Sequence, residues 1–77
     1  MRVRVRLFFH LKRHGPGGSG DFALELEPGA TVGQVLAGLG MAPGPAKVLL
    51  VNGRQAGLDS PLAQDDELVV FPPVEGG

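Results

Sequence analysis

The sequence predicts an α+β domain in which a mixed sheet of four to five strands is crossed by one main helix. Three observations carry that expectation. Segments near both ends alternate apolar and polar residues or run apolar over strand-like lengths. A single stretch between them repeats its apolar residues with a helical period. Most glycines and prolines fall at the boundaries between these segments, as turn residues do.

Residues 2–12 read as the first strand, with Val3, Val5, Leu7, Phe9 and Leu11 on one face and Arg2, Arg4, Arg6, Phe8, His10 and Lys12 on the other. Phe8 is the one large apolar side chain on the charged face. Gly15 to Gly20 predicts a flexible hairpin loop, after which 21–27 resume the alternation with Phe22, Leu24 and Leu26 inward. Pro28-Gly29 ends this hairpin.

Thr31 followed three residues later by Gln34 is a capping-box pattern. Val32, Val35, Leu36 and Leu39 then form one apolar stripe, and Gly40 stands where a left-handed C-cap belongs. Gly33 and Gly38 each weaken this helix by about 1 kcal/mol relative to alanine, so packing against a sheet must hold it. Met41 to Pro45 is a connection. Lys47 to Val51 is an apolar run suited to a buried strand, and Asn52-Gly53 predicts a tight turn into a short strand through Arg54 to Ala56. Asp59-Ser60-Pro61-Leu62 reads as a turn, Asp65-Asp66 as another, and Glu67 to Phe71 as the last strand, stopped by Pro72-Pro73. The order β-β-α-β-β-β, with the most apolar strands first and last, places those two side by side under the helix. This is the ubiquitin-like β-grasp arrangement. The expected organisation is a β-grasp domain over 1–71 and an extended, flexible tail over 72–77.

Composition narrows the function. With 77 residues the chain is one domain, burying about 60% of the surface its unfolded form exposes. It has no cysteine, so neither a disulfide nor a thiolate zinc site supports it. His10 and His14 are separated by a turn signal from any common helix face, and a metal is not expected. A formal charge of −1 gives no field that would draw nucleic acid or a membrane surface. The opening Met-Arg-Val-Arg-Val-Arg lacks the apolar core of a signal peptide, and a cytoplasmic location is expected. Ser19 and Ser60 stand in turns without a histidine or acid partner, and the Gly15 to Gly20 stretch lacks the lysine of a phosphate loop. The chain is therefore expected not to be an enzyme by itself and to hold no cofactor.

The tail is the exception. Six residues, Pro72 to Gly77, span about 20 Å when extended. Pro72 and Pro73 stiffen its base, and Gly76-Gly77 make a tip slender enough to enter a narrow channel. Such an arm suits a carrier whose reactive group is its own terminal carboxylate, activated by a partner.

Phe71-Pro72-Pro73-Val74-Glu75-Gly76-Gly77 resembles the tail of the small, sulfur-carrying subunit of molybdopterin synthase. Val5-Arg6-Leu7-Phe8-Phe9, Val51-Asn52-Gly53, Asp59-Ser60-Pro61-Leu62 and Asp65-Asp66-Glu67-Leu68 extend the resemblance over nearly the whole chain. The two prolines favour this family over the related thiazole-forming carriers. The resemblance implies that a ubiquitin-activating-like adenylyltransferase adenylates Gly77 with ATP and Mg²⁺, and that a sulfur-donor enzyme converts the adenylate to a thiocarboxylate. The tail, Pro72 to Gly76, would then enter the large catalytic subunit, usually in a heterotetramer, and Gly77 would give its sulfur to cyclic pyranopterin monophosphate. It also implies partner contacts at Phe8, Phe9 and Phe71. This chain departs from the family at Lys12-Arg13, where an Arg-Glu pair is common, in its glycine-rich Gly15 to Gly20 loop, and in its short helix. Relatives that serve tRNA thiolation, thiazole or cysteine pathways, or that become protein modifiers through isopeptide bonds, are the alternatives. A plain β-grasp interaction domain with an idle tail is another.

Overall fold

The computed structural model describes residues 1–41 and 48–72. Five strands and one helix form in the expected order: β1 (Arg2–Leu7), β2 (Asp21–Glu25), α1 (Val32–Gly38), β3 (Val48–Val51), β4 (Arg54–Gln55) and β5 (Glu67–Phe71). The strands make one mixed sheet in the order β2-β1-β5-β3-β4. β1 and β5 lie side by side and parallel, with Val5 opposite Leu68 and Leu7 opposite Val70. The other pairings are antiparallel. This is the β-grasp fold.

Val3, Val5 and Leu7 from β1, Leu68 and Val70 from β5, and Leu49 from β3 meet Val32, Val35 and Leu36 of α1 in the core. Leu11, Met41 and Leu62 close its margins. The core is aliphatic, and no polar residue is buried among the described residues. Local chemistry delivers the helix as expected. The Gln34 N–H donates to Thr31 Oγ1 at 3.3 Å, and Thr31 N–H donates back to Gln34 Oε1 at 3.0 Å. At the other end Gly40 takes φ +80°, its N–H reaching Ala37 O and that of Met41 reaching Leu36 O. This pair of bonds closes the helix with a Schellman motif. The β3–β4 turn follows the Asn-Gly signal, with φ +53° at Asn52 and +82° at Gly53.

Four expectations need correction. The first strand stops at Leu7, not Lys12, because its neighbours run out: Leu7 N–H pairs with Gly20 O, and β5 ends one residue beyond Val70. The chain then turns through Phe9–His14, a 3-10 segment that brings Leu11 into the core, while Phe9 turns away from it. The Gly15 to Gly20 stretch is not one open loop. Pro16–Gly18 is a second 3-10 turn, and Gly15 is buried at the junction of the two. Finally, β3 is not buried on both faces: Leu49 is core, but Val48 is exposed. The single helix covers one face of the sheet, so every second residue of even a fully apolar strand faces outward. The second strand also ends at Glu25 rather than 27. Lys47 and the connection after Met41 lie outside the described residues, as do Pro73 to Gly77.

Candidate functional site

Alternation along the strands dictates the uncovered face. Burying Val3, Val5 and Leu7 sends Arg2, Arg4 and Arg6 to the opposite side, and burying Leu68 and Val70 does the same for Glu67, Val69 and Phe71. Cross-strand register then divides this face in two. On one half, Arg2 lies opposite Glu25 and pairs with it at 3.2 Å. Arg4 Nε donates to Asp21 Oδ1 at 2.8 Å. That hydrogen bond holds the Asp21 carboxyl below the usual carboxylate range and raises Arg4.

The other half is apolar. Val48 lies opposite Phe71 and Leu50 opposite Val69. Phe8 continues β1 in extended conformation, its N–H donating to Val70 O at 3.2 Å. Its ring therefore falls beside that of Phe71, with centroids 4.5 Å apart and planes 18° from parallel. The Arg6 guanidinium carbon stands 5.9 Å from the Phe8 centroid, a cation–π arrangement at the boundary between the halves. Phe9 follows at φ +57° and is 70% exposed, against 41% for Val48. Of the two adjacent aromatics it is Phe9 that projects into solvent, while Phe8 is half-buried in the stack.

The structure thus brings Phe8 and Phe71 into contact and sets Phe9 next to Phe8 in the chain, all at the root of the tail, since Pro72 follows Phe71 directly. Pro72 is the only tail residue among the described ones; Pro73, Val74, Glu75, Gly76 and Gly77 lie outside them. The two histidines do not converge on a metal site: His14 Nδ1 bonds Leu39 O at 3.2 Å, tying the β1–β2 connection to the helix end. No group of three or more potential ligands occurs among the described residues. No helix among them is long and apolar enough to cross a membrane.

Asp66, in the turn the sequence predicts, ties two turns together. It accepts from Asn52 Nδ2 and from Ala63 N–H, both at 2.8 Å, while Asn52 Oδ1 accepts from Glu67 N–H at 2.9 Å. This clasp fixes the entry into β5 against the β3–β4 turn. The Arg6–Phe8–Phe71 assembly was not foreseen. The available signal was the placement of Phe8 on the charged face of an alternating strand.

Similar structures share the whole architecture. SAMP1, small archaeal modifier protein 1, of Haloferax volcanii is 31% identical with 100% of each chain covered and a TM-score of 0.78. A Pyrococcus furiosus protein described provisionally as subunit 1 of molybdopterin converting factor is 25% identical, with 96% of this chain and 99% of that one covered and a TM-score of 0.77. The complex of subunits 1 and 2 of molybdopterin-converting factor from Helicobacter pylori 26695 offers a likeness in fold, at 24% identity, full coverage of both chains and a TM-score of 0.65. No functionally curated protein matches the chain significantly. The ThiS family matches residues 7–77, from the end of β1 through the Gly-Gly pair. With a β-grasp sheet, a capped helix and an aromatic pair at the root of that Gly-Gly segment, the chain belongs to the ThiS family of ubiquitin-like sulfur carriers.

Proposed function

We propose that this chain is the sulfur-carrying small subunit of a molybdopterin synthase. The observation that carries the reading is the segment Phe71-Pro72-Pro73-Val74-Glu75-Gly76-Gly77, whose first residue ends β5 in the apolar half of the open face. The Pyrococcus furiosus and Helicobacter pylori proteins, named as subunits of molybdopterin converting factor, support it. The latter, a complex of subunits 1 and 2, also supports a large subunit as partner, and Phe8, Phe9 and Phe71 are the surface proposed for it.

A carboxylate is a poor electrophile until its oxygen becomes part of a leaving group. In the proposed cycle the Gly77 carboxylate attacks the α-phosphorus of ATP in an adenylyltransferase, and pyrophosphate leaves with Mg²⁺. Hydrosulfide supplied by a donor enzyme, or its persulfide followed by a thiol that cleaves the acyl disulfide and is oxidised to a disulfide, then displaces AMP and leaves a thiocarboxylate. In the large subunit the thiocarboxylate sulfur bonds to the acceptor carbon, and water then cleaves the resulting thioester, leaving the sulfur for the dithiolene and regenerating the Gly77 carboxylate. The chain supplies the docking face and the arm, and its partners supply the catalytic groups. ATP and Mg²⁺ belong to the activating enzyme.

The similarity to SAMP1 favours a second reading, a protein modifier whose Gly77 forms isopeptide bonds with lysines. Intact-protein mass spectrometry separates the two. With adenylating enzyme, ATP and sulfur donor, the proposed carrier gains the mass difference of one sulfur replacing one oxygen, and the product supports dithiolene formation by the large subunit. Lysine-linked adducts without thiocarboxylate favour the modifier. A thiocarboxylate that the large subunit cannot use assigns the chain to another sulfur pathway.

A further inference from the structure

We propose that an open cleft beside the aromatic stack, between Arg6 and Lys12, receives a carboxylate side chain of the adenylating partner. The inference rests on the carrier reading above and specifies how the docked partner is recognised.

The cleft has a volume of about 240 Å³ and is lined by Arg6, Phe8, Lys12, Ser19, Gly20 and Asp21. Among the described residues its positive charges are balanced only in part, because Asp21 lies opposite Arg6 but bonds Arg4. Arg2 and Arg4, the other arginines of the open face, are engaged by Glu25 and Asp21. Among the described residues, neither Arg6 nor Lys12 has a side-chain hydrogen bond or ion pair. The acid that lines the cleft, Asp21, is the one held by Arg4 at 2.8 Å. Among the described residues the cleft therefore holds two cations that no carboxylate contacts directly: Arg6, beside the Phe8 ring and sharing the field of Asp21 with Arg4, and Lys12.

The cleft can seat the carboxylate end of a side chain. Gly20 leaves room for the Lys12 stem, since a Cβ there would come within 2.8 Å of Lys12 Cγ. Phe8 forms an apolar wall against which the methylenes of a glutamate could lie, and the same ring stacks on Phe71 and so joins the cleft to the apolar half of the face. That continuity selects the occupant. In open water two exposed cations hold a carboxylate weakly. Beneath a partner covering Val48, Val69 and Phe71, water is excluded and the same pairing strengthens as the local dielectric falls. The partner is accordingly one whose apolar docking surface carries an acidic side chain at its edge.

The test measures binding of the full-length chain to the adenylating enzyme of its own organism, with thiocarboxylate formation followed in parallel by intact mass. Arg6→Gln and Lys12→Gln should each weaken binding by about three- to tenfold at low ionic strength, the gap narrowing at about 0.5 M salt. Arg2→Gln, on the half of the face away from the stack, should change binding by less than about twofold. Circular dichroism identifies any variant that has lost its fold, for which Arg6→Lys or Lys12→Arg should retain binding. Wild-type affinity in both Arg6→Gln and Lys12→Gln, with thiocarboxylate still forming, overturns the acidic recognition and leaves the carrier reading standing. A wild-type chain that neither binds nor acquires sulfur overturns both.

Discussion

Phe9 carries two costs that a core residue does not. Its φ of +57° places a bulky side chain in the left-handed region, at about 1–2 kcal/mol, and its ring is largely in water. A partner that covers the ring offsets the second cost, which is why strain and exposure together point to a contact residue. Phe8, one position earlier, is half-buried against Phe71. The two rings should therefore respond differently to truncation. Phe9→Gly relieves the strain, while greater freedom of the unfolded chain cancels about 0.5–1 kcal/mol of the gain, so stability should change by less than about 1 kcal/mol. Phe8→Ala should lower it by about 1–2 kcal/mol through loss of the stack and its burial. Urea unfolding of both variants checks this; a larger loss for Phe9→Gly would make Phe9 a residue of the fold rather than of the interface. Sequence alone established that adjacent aromatics could not both enter a flat core. Alternation put Phe9 on the apolar face and Phe8 on the charged one, and their exposure is the reverse, because the point where β1 ends is set by neighbouring strands far away in the chain.

Among the elements, α1 was the most legible and contained the least obvious detail. Its start and stop depend on residues three to five apart, Thr31 with Gln34 and Leu36 with Met41, so the sequence held the whole signal. Its two interior glycines looked alike, and they are not. A Cβ on Gly38 would meet nothing within 4 Å, whereas one on Gly33 would stand 3.0 Å from Leu58 O, the acceptor of Gly33's own N–H. Gly38→Ala should raise stability by about 1 kcal/mol through helix propensity alone. In Gly33→Ala the same gain is opposed by displacement of the 58–60 segment, which also accepts from Val32, and stability should fall. Thermal melts of the pair test the distinction, and equal gains would show that the segment yields freely. The Asp66 clasp was illegible for the opposite reason. Its partner Asn52 lies 14 residues away, and an acidic turn residue reads as solvated until the fold brings the amide to it.

At the scale of the molecule the β-grasp topology was readable because few arrangements bury two apolar terminal strands under one helix. What the pattern did not reveal was the asymmetry of the open face, charged on one half and apolar on the other, because that depends on register between strands. Leu68 sits at the centre of this arrangement, fully buried, opposite Val5 on one side and Val51 on the other. Leu68→Ala should cost about 2–5 kcal/mol. A domain of this size has a core that supplies little more than that, so the variant should be largely unfolded at 37 °C by circular dichroism. Retention of a cooperative melt near the wild-type temperature would indicate a core that collapses around the void.

The parallel pairing of β1 and β5 also has a mechanical consequence. Pulling on the Gly-Gly arm while the amino end is held drags β5 along β1 in opposite senses. The backbone bonds from Arg4–Glu67 to Leu7–Val70 are then loaded together in shear, not opened one at a time from an end. A partner that drew the arm into its channel while anchoring the amino end would thus load this seam in shear.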